Sequence, residues 1–154
     1  MPIQVKNTLN QIRSLAASGD DRVEKARRLA ELVRKLGGYH WVGVFDVGAE
    51  QVSLLGFSGP GITEVPTFAV GKGLTGTAIK QKKTVNVGDV RMDQRYITAF
   101  GSTISEIIVP VIDPSGRVVG TVDVESDRAN AFGPSDQEMI EQCAQAALPL
   151  WLLR

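Results

Sequence analysis

Ser105-Glu106-Ile107-Ile108-Val109-Pro110-Val111-Ile112, then Asp113-Pro114-Ser115-Gly116, then Arg117-Val118-Val119-Gly120-Thr121-Val122-Asp123-Val124-Glu125-Ser126, is the stretch that decides the fold. Two Val/Ile-rich runs joined by a Pro- and Gly-containing turn read as a β-hairpin. With Asp113–Gly116 as a four-residue loop, Glu106 falls opposite Asp123, and Glu125 shares their face because side chains alternate along a strand. A three-residue loop with a bulged Gly116 shifts the pairing by one and turns Glu106 to the other face. Like charges set opposite one another destabilise a sheet, and a buried carboxylate without a partner costs several kcal/mol or takes up a proton. A bound cationic group, a shared proton or water has to answer them, which points to a small-ligand pocket.

Outward from the hairpin, the N-terminal 2–17 stretch carries Ile3, Leu9, Ile12 and Ala16 at helical spacing. Ser18-Gly19-Asp20-Asp21 interrupts it and caps a second helix, which presents Val23, Ala26, Ala30, Val33 and Leu36 on one face and stops at Gly37-Gly38. Tyr39–Val47 and Gln51–Phe57 read as strands around Gly48-Ala49-Glu50, with a short extended piece near Val65–Phe68. A helix follows Gly71-Lys72-Gly73-Leu74-Thr75-Gly76, then a short strand at Thr84–Val87 and an irregular section over 88–103. Gly133-Pro134 opens the last helix, and Pro149 is expected to end or kink it, leaving Trp151, Leu152 and Leu153 as an apolar tail. The order implies an α+β fold. Hairpin strands apolar on both faces require a sheet covered on each side, by helices behind and by loops and the middle helix in front. The pocket belongs on the loop side.

The chain has 154 residues, 43% of them hydrophobic and 22% charged, which is ordinary for one globular domain. Its 17 basic and 17 acidic residues give no net field to attract nucleic acid or an anionic membrane. No apolar run approaches membrane-spanning length, so a cytoplasmic location is the expectation. Cys143 is the single cysteine and His40 the single histidine, which excludes an internal disulfide and a Cys- or His-rich metal cluster. No cofactor and no metal are expected. Gly71, Gly73 and Gly76 fit neither a P-loop nor a dinucleotide fingerprint and read as turn and close-packing glycines.

The element order, with Gly71-Lys-Gly-Leu-Thr-Gly76, Val87-Gly-Asp-Val90, Ser105-Glu-Ile-Ile-Val-Pro-Val111, Gly120-Thr-Val-Asp-Val-Glu-Ser126 and Phe132-Gly-Pro-Ser-Asp136, resembles the GAF domain family. The resemblance runs from about residue 20 to 148 and implies a central antiparallel sheet, profilin-like, with a small-molecule pocket in front. Residues 20–154 would form one GAF domain, and 1–19 an N-terminal helix available for dimer contact. Within the family the chain looks most like the free methionine-(R)-sulfoxide reductases, through Trp41-Val-Gly-Val-Phe45, Ser105-Glu106 and Asp123-Val-Glu125. In those enzymes the matching acids bind and polarise the substrate, and Glu125 replaces an aspartate.

The resemblance breaks at the thiols. The family's cysteine positions fall on Val65, Thr75 and Ala99, and an acid that follows the nucleophile becomes Phe100. A thiolate must attack the sulfoxide sulfur and a second thiol must resolve the product, which neither Ala99 nor Thr75 can do. The residues assigned to ligand binding are therefore Glu106, Asp123, Glu125, Thr75, Tyr96, Phe100, Ser105 and Trp41, with Tyr96, Ile97 and Phe100 in the section that would lid the pocket. The competing structural reading pairs the three acids with Arg91, Arg95 or Arg117.

A non-catalytic small-molecule sensor, taking an amino acid or a derivative of one, is the leading functional expectation. The alternatives are a divergent reductase-like enzyme and a dimerisation module with a filled pocket. A homodimer through the terminal helices is expected from the wide apolar face of Met139, Ile140, Cys143, Ala146, Ala147, Leu150 and Trp151.

Overall fold

Asp21 accepts hydrogen bonds from the N–H groups of Val23 and Glu24 at 3.1 and 3.3 Å, and so starts the second helix where the capping sequence predicts. Gly38, at φ 66°, ends it. The computed structural model describes residues 1–63, 65–98 and 100–153. In chain order these form α1 (Ile3–Ala17), α2 (Arg22–Gly37), β1 (Trp41–Val47), β2 (Gln51–Ser58), β3 (Thr67–Ala69), α3 (Gly73–Gln81) and β4 (Val85–Val87). A single 3-10 turn at Val90–Met92 precedes β5 (Ser105–Ile112), β6 (Val118–Ser126), α4 (Pro134–Ala146) and α5 (Pro149–Leu152).

The six strands form one antiparallel sheet in the order β3-β2-β1-β6-β5-β4. α1, α2, α4 and α5 cover one face, and β6 is buried along its whole length. Gly56 on β2 lets α2 approach closely, since a Cβ there would lie 2.5 Å from the backbone nitrogen of Arg27. α1 packs into this same core through Leu9, Ile12 and Leu15. Lys25, only 2% exposed, donates from Nζ to the Ala16 carbonyl at 3.1 Å, so a cation from α2 answers the C-terminal carbonyls of α1.

Two expectations need correction. The C-terminal segment is not a loose tail: Pro149 is the first residue of α5, and Leu150 and Trp151 are buried. Ile140, Cys143, Ala147, Leu150 and Trp151, whose breadth suggested a contact with a second chain, are consumed by the chain's own core.

The second correction concerns the hairpin. Asp113 N–H donates to the Arg117 carbonyl and Gly116 N–H to the Asp113 carbonyl, both at 2.9 Å, with Gly116 at φ 87°. The loop is thus the three-residue form, whose one-residue shift alone would turn Glu106 over. A bulge beyond the turn moves the register again: Ile112 pairs with Val118 and Val111 with Gly120, leaving Val119 extra. The two displacements restore the face but move the pairing by two. Glu106 stands opposite Glu125 rather than Asp123, and Asp123 stands opposite Ile108.

Candidate functional site

Glu106, Asp123 and Glu125 project from the sheet face away from the four covering helices, and they are 7%, 4% and 3% exposed. β1 completes the floor, with Trp41 opposite Glu125 and Gly43 opposite Asp123. Gly43 is needed there because the rings of Trp41 and Phe45 close over it and leave no room for a Cβ. Trp41 stacks on Phe57 at a centroid distance of 5.9 Å, and Phe100 meets its edge at 5.1 Å.

The loop side supplies walls and hydroxyls. Thr75, on α3, donates to Asp123 Oδ2 at 3.4 Å. Thr103 donates to Glu125 Oε1 at 2.8 Å, and the Tyr96 hydroxyl reaches the same oxygen at 3.5 Å. Val65, Phe68, Lys72, Leu74, Tyr96 and Ile97 close the rest. The enclosed cavity is about 40 Å³, room for roughly two or three waters. A wider groove of about 680 Å³ runs between α1 and α2. Its charges pair with one another at the surface, Arg27 with Glu24 and Glu31, Lys35 with Glu31, and Arg28 with Asp20.

No ion pair among the described residues reaches the three acids. Arg91 pairs with Asp89, Arg95 with Asp93, and the backbone N–H of Arg117 is held by Asp113 in the turn. The structural pairing read from the sequence is therefore not formed by these arginines. Three buried polar atoms also lack a hydrogen-bond partner here: Asp123 Oδ1, Trp41 Nε1 and Thr121 Oγ1. Burial drives the carboxyl groups toward their neutral forms. It lifts Asp123 to about 7; the nearby Thr121 hydroxyl opposes the rise without reaching bonding geometry, and the Glu125 charge adds to it. Burial also raises Glu125, though the Thr103 and Tyr96 hydroxyls hold part of that rise back. Glu106 is also raised well above the usual carboxylate range, by burial and then by repulsion from Glu125 and Asp123. No group of three or more His, Cys, Asp or Glu among the described residues is arranged to hold a metal ion.

Of the residues singled out in the sequence, Glu106, Asp123, Glu125, Thr75, Tyr96 and Trp41 line this cavity. Phe100 does not line it; it buttresses Trp41 from behind. Ser105 is a correction. It neighbours Glu106 on a strand and so points to the opposite face, where its hydroxyl donates to the Arg128 carbonyl at 2.6 Å and accepts from the Ala131 N–H. Val65 and Thr75, two of the positions matched to family cysteines, are on the cavity wall; the third, Ala99, lies outside the described residues. Cys143 sits across the sheet in the helix-side core, 0% exposed, its thiol pushed up to about 12 by burial. Thr103, Phe45, Phe68 and Lys72 were missed in the sequence. Only the aromatic residues carried a signal, through their place on predicted strands.

A six-stranded antiparallel sheet with terminal helices behind and an enclosed cavity in front is the architecture of a GAF domain. The GAF domain family matches residues 21–147, and the chain belongs to it. It is similar to GAF domain-containing protein A of Dictyostelium discoideum, 29% identical over 140 residues that span 90% of this chain and 87% of that one. It is also similar to the free methionine-R-sulfoxide reductase of Saccharomyces cerevisiae, 34% identical over 109 residues, 69% of this chain and 59% of the yeast protein. Among solved structures, the free methionine-R-sulfoxide reductase from Neisseria meningitidis in complex with its substrate superposes with a TM-score of 0.84 at 27% identity, covering 96% of this chain and 88% of that chain.

Proposed function

We propose that this GAF domain binds a small molecule, an amino acid or a derivative of one, in the acid-floored cavity and releases it unchanged. One observation carries this reading: the acids are buried without a countercharge, while the cavity wall has Val65 and Thr75 where the reductase resemblance expects thiols. Cys143, the single thiol in the sequence, is on the wrong side of the sheet and held in its un-ionised form, so it neither reaches the cavity nor acts as a nucleophile. A cavity of about 40 Å³ is below the roughly 300 Å³ of typical ligand sites. Entry therefore displaces covering residues among Thr63, Val65, Tyr96 and Ile97. The direct test incubates the protein with free methionine-R-sulfoxide and dithiothreitol. No turnover above the thiol-only background is expected; sustained turnover that the wild-type protein shows and boiled protein lacks would establish the enzyme reading instead.

The proposal extends to a homodimer that passes on the ligand signal. α1 and α5 are in contact, and they leave Ile3, Leu152 and Leu153 between 47% and 72% exposed at neighbouring chain ends. Light scattering after size exclusion should give twice the chain mass, and Leu152→Glu with Ile3→Glu should return it to one. A wild-type monomer at micromolar concentration would remove the dimer and leave the binding site untouched. No helix among the described residues is long and apolar enough to cross a membrane.

A further inference from the structure

We propose that the ligand presents an organic cation to the acid floor and displaces protons from it on binding. This rests on the ligand-binding reading above and narrows the ligand's chemistry.

The first support is a count of donors and acceptors. Three carboxyl groups meet three side-chain hydroxyls in bonding geometry, Thr75, Thr103 and Tyr96, with the Thr121 hydroxyl near Asp123 but short of it. Asp123 Oδ1, buried with its residue 4% exposed, accepts no hydrogen bond. Glu106 accepts no side-chain hydrogen bond from any described residue, although Glu125 lies directly opposite it. A ligand whose polar end is an oxo group could take a hydrogen bond at the acid floor only from an acid that keeps its proton, and it would bring no positive charge to the Glu106–Glu125 pair. An ammonium brings three N–H donors and a positive charge, and it can serve Asp123 Oδ1 and the Glu106–Glu125 pair together. A metal ion is the other cationic solution, and the described acids do not converge as metal ligands.

The walls are the second support, independent of the acids. Trp41, Phe45, Phe68 and Tyr96 all border the cavity. Aromatic faces attract a desolvated organic cation, and they shelter its alkyl portion. Trp41 Nε1, 1% exposed and unpartnered, is a donor that suits an acceptor atom further along the same molecule. The implied class is a small primary amine or amidine with an apolar body and a hydrogen-bond acceptor.

Proton displacement follows from what else faces the cluster. β5 contributes Glu106, β6 contributes Asp123 and Glu125, and the lid contributes Tyr96. Lys72, exposed at the start of α3, is the cation bordering the mouth among the described residues, and no ion pair joins it to the acids. The cluster thus offsets its own repulsion by retaining protons at neutral pH, in keeping with the raised proton affinity of all three acids. An arriving cation favours the ionised forms and expels protons.

Calorimetric titration and thermal shift with n-butylammonium, its neutral counterpart n-butanol and the neutral oxo compound dimethyl sulfoxide, at about pH 6 and about pH 8, separate the possibilities. n-Butylammonium should bind threefold to tenfold more tightly per pH unit between these values, approaching the tenfold limit for one proton released. Its apparent enthalpy should change between buffers of different ionisation enthalpy, and n-butanol should not raise the melting temperature. Asp123→Asn should weaken n-butylammonium binding more than tenfold while the protein remains folded. Binding that is independent of pH, or tighter at the lower pH, overturns proton displacement. A response to dimethyl sulfoxide with none to n-butylammonium overturns the cation but leaves a ligand-binding domain. Silence from all three probes counts against both.

Discussion

Glu106→Gln should stabilise the unliganded protein at about pH 8 by on the order of 2 kcal/mol, although it replaces a buried residue. In the folded chain the acids of the cavity have raised affinities for protons, so the folded state binds more protons than the unfolded state above about pH 4. Stability contributed by such groups is complete below their unfolded pKa and is lost as pH rises through the folded value. For Asp123, from 3.8 to about 7, that window spans weakly acid to neutral pH. Every tenfold difference in proton affinity between the two states corresponds to about 1.4 kcal/mol, so wild-type protein should lose on the order of 2–4 kcal/mol between about pH 5 and pH 8. Glutamine keeps the shape of Glu106, carries no charge toward Glu125 opposite it, and offers an amide donor. At about pH 5 the gain should shrink, because the raised proton affinity of Glu106 opposes folding less as the unfolded chain takes up its proton too. Urea midpoints at the two pH values measure both statements. A wild-type stability that is flat or rising over this range, with Glu106→Gln destabilising at the higher pH, would mean that the acids are solvated or paired.

Trp151→Ala should cost about 4 kcal/mol, a large share of the roughly 5–15 kcal/mol that holds a typical domain folded. Trp151 lies on the helix side of the sheet, 2% exposed, with its indole against Gly120, where a Cβ would collide with the ring. Its Nε1 donates to the Phe45 carbonyl at 3.1 Å, where the pairing of β1 with β2 slips between Val44 and Phe45. Truncation therefore leaves a cavity and an unpaired buried carbonyl together. Trp151→Phe keeps one aromatic ring and loses the donor together with part of the indole volume, so about 2 kcal/mol is expected. Equal costs for the two variants would show that the indole hydrogen bond, rather than packing, holds α5 in place. Since β1 and β6 carry Trp41 and Asp123 on their other face, loss of Trp151 should also disturb the cavity from behind.

The layers of the fold were legible because alternation and capping are local. Gly38 and Asp21 bound α2 as written in the sequence, and the Val/Ile-rich β5 and β6 are buried on both faces. The hairpin register was not legible. Gly116 signalled a three-residue turn, but Val119 looks like any other strand valine, and nothing in its type announces a bulge. Because the two displacements cancel in parity, the acid face survived an incorrect pairing. Ser105 was a different kind of miss. Alternation alone places it opposite to Glu106, and only the family resemblance joined the two. Thr103 lies outside the strand, in a segment without periodicity, and its contact with Glu125 exists only through the tertiary fold. Pro149 carried a double meaning, since proline both ends one helix and opens another.

A carbon-13 NMR titration of the side-chain carboxyls of Glu106, Asp123 and Glu125 in unliganded protein is the most direct measurement. All three should titrate well above the ordinary carboxylate range, Asp123 at about 7. Titration of the three near 4, as for solvated side chains, would contradict the buried, unanswered acids from which the binding function is inferred.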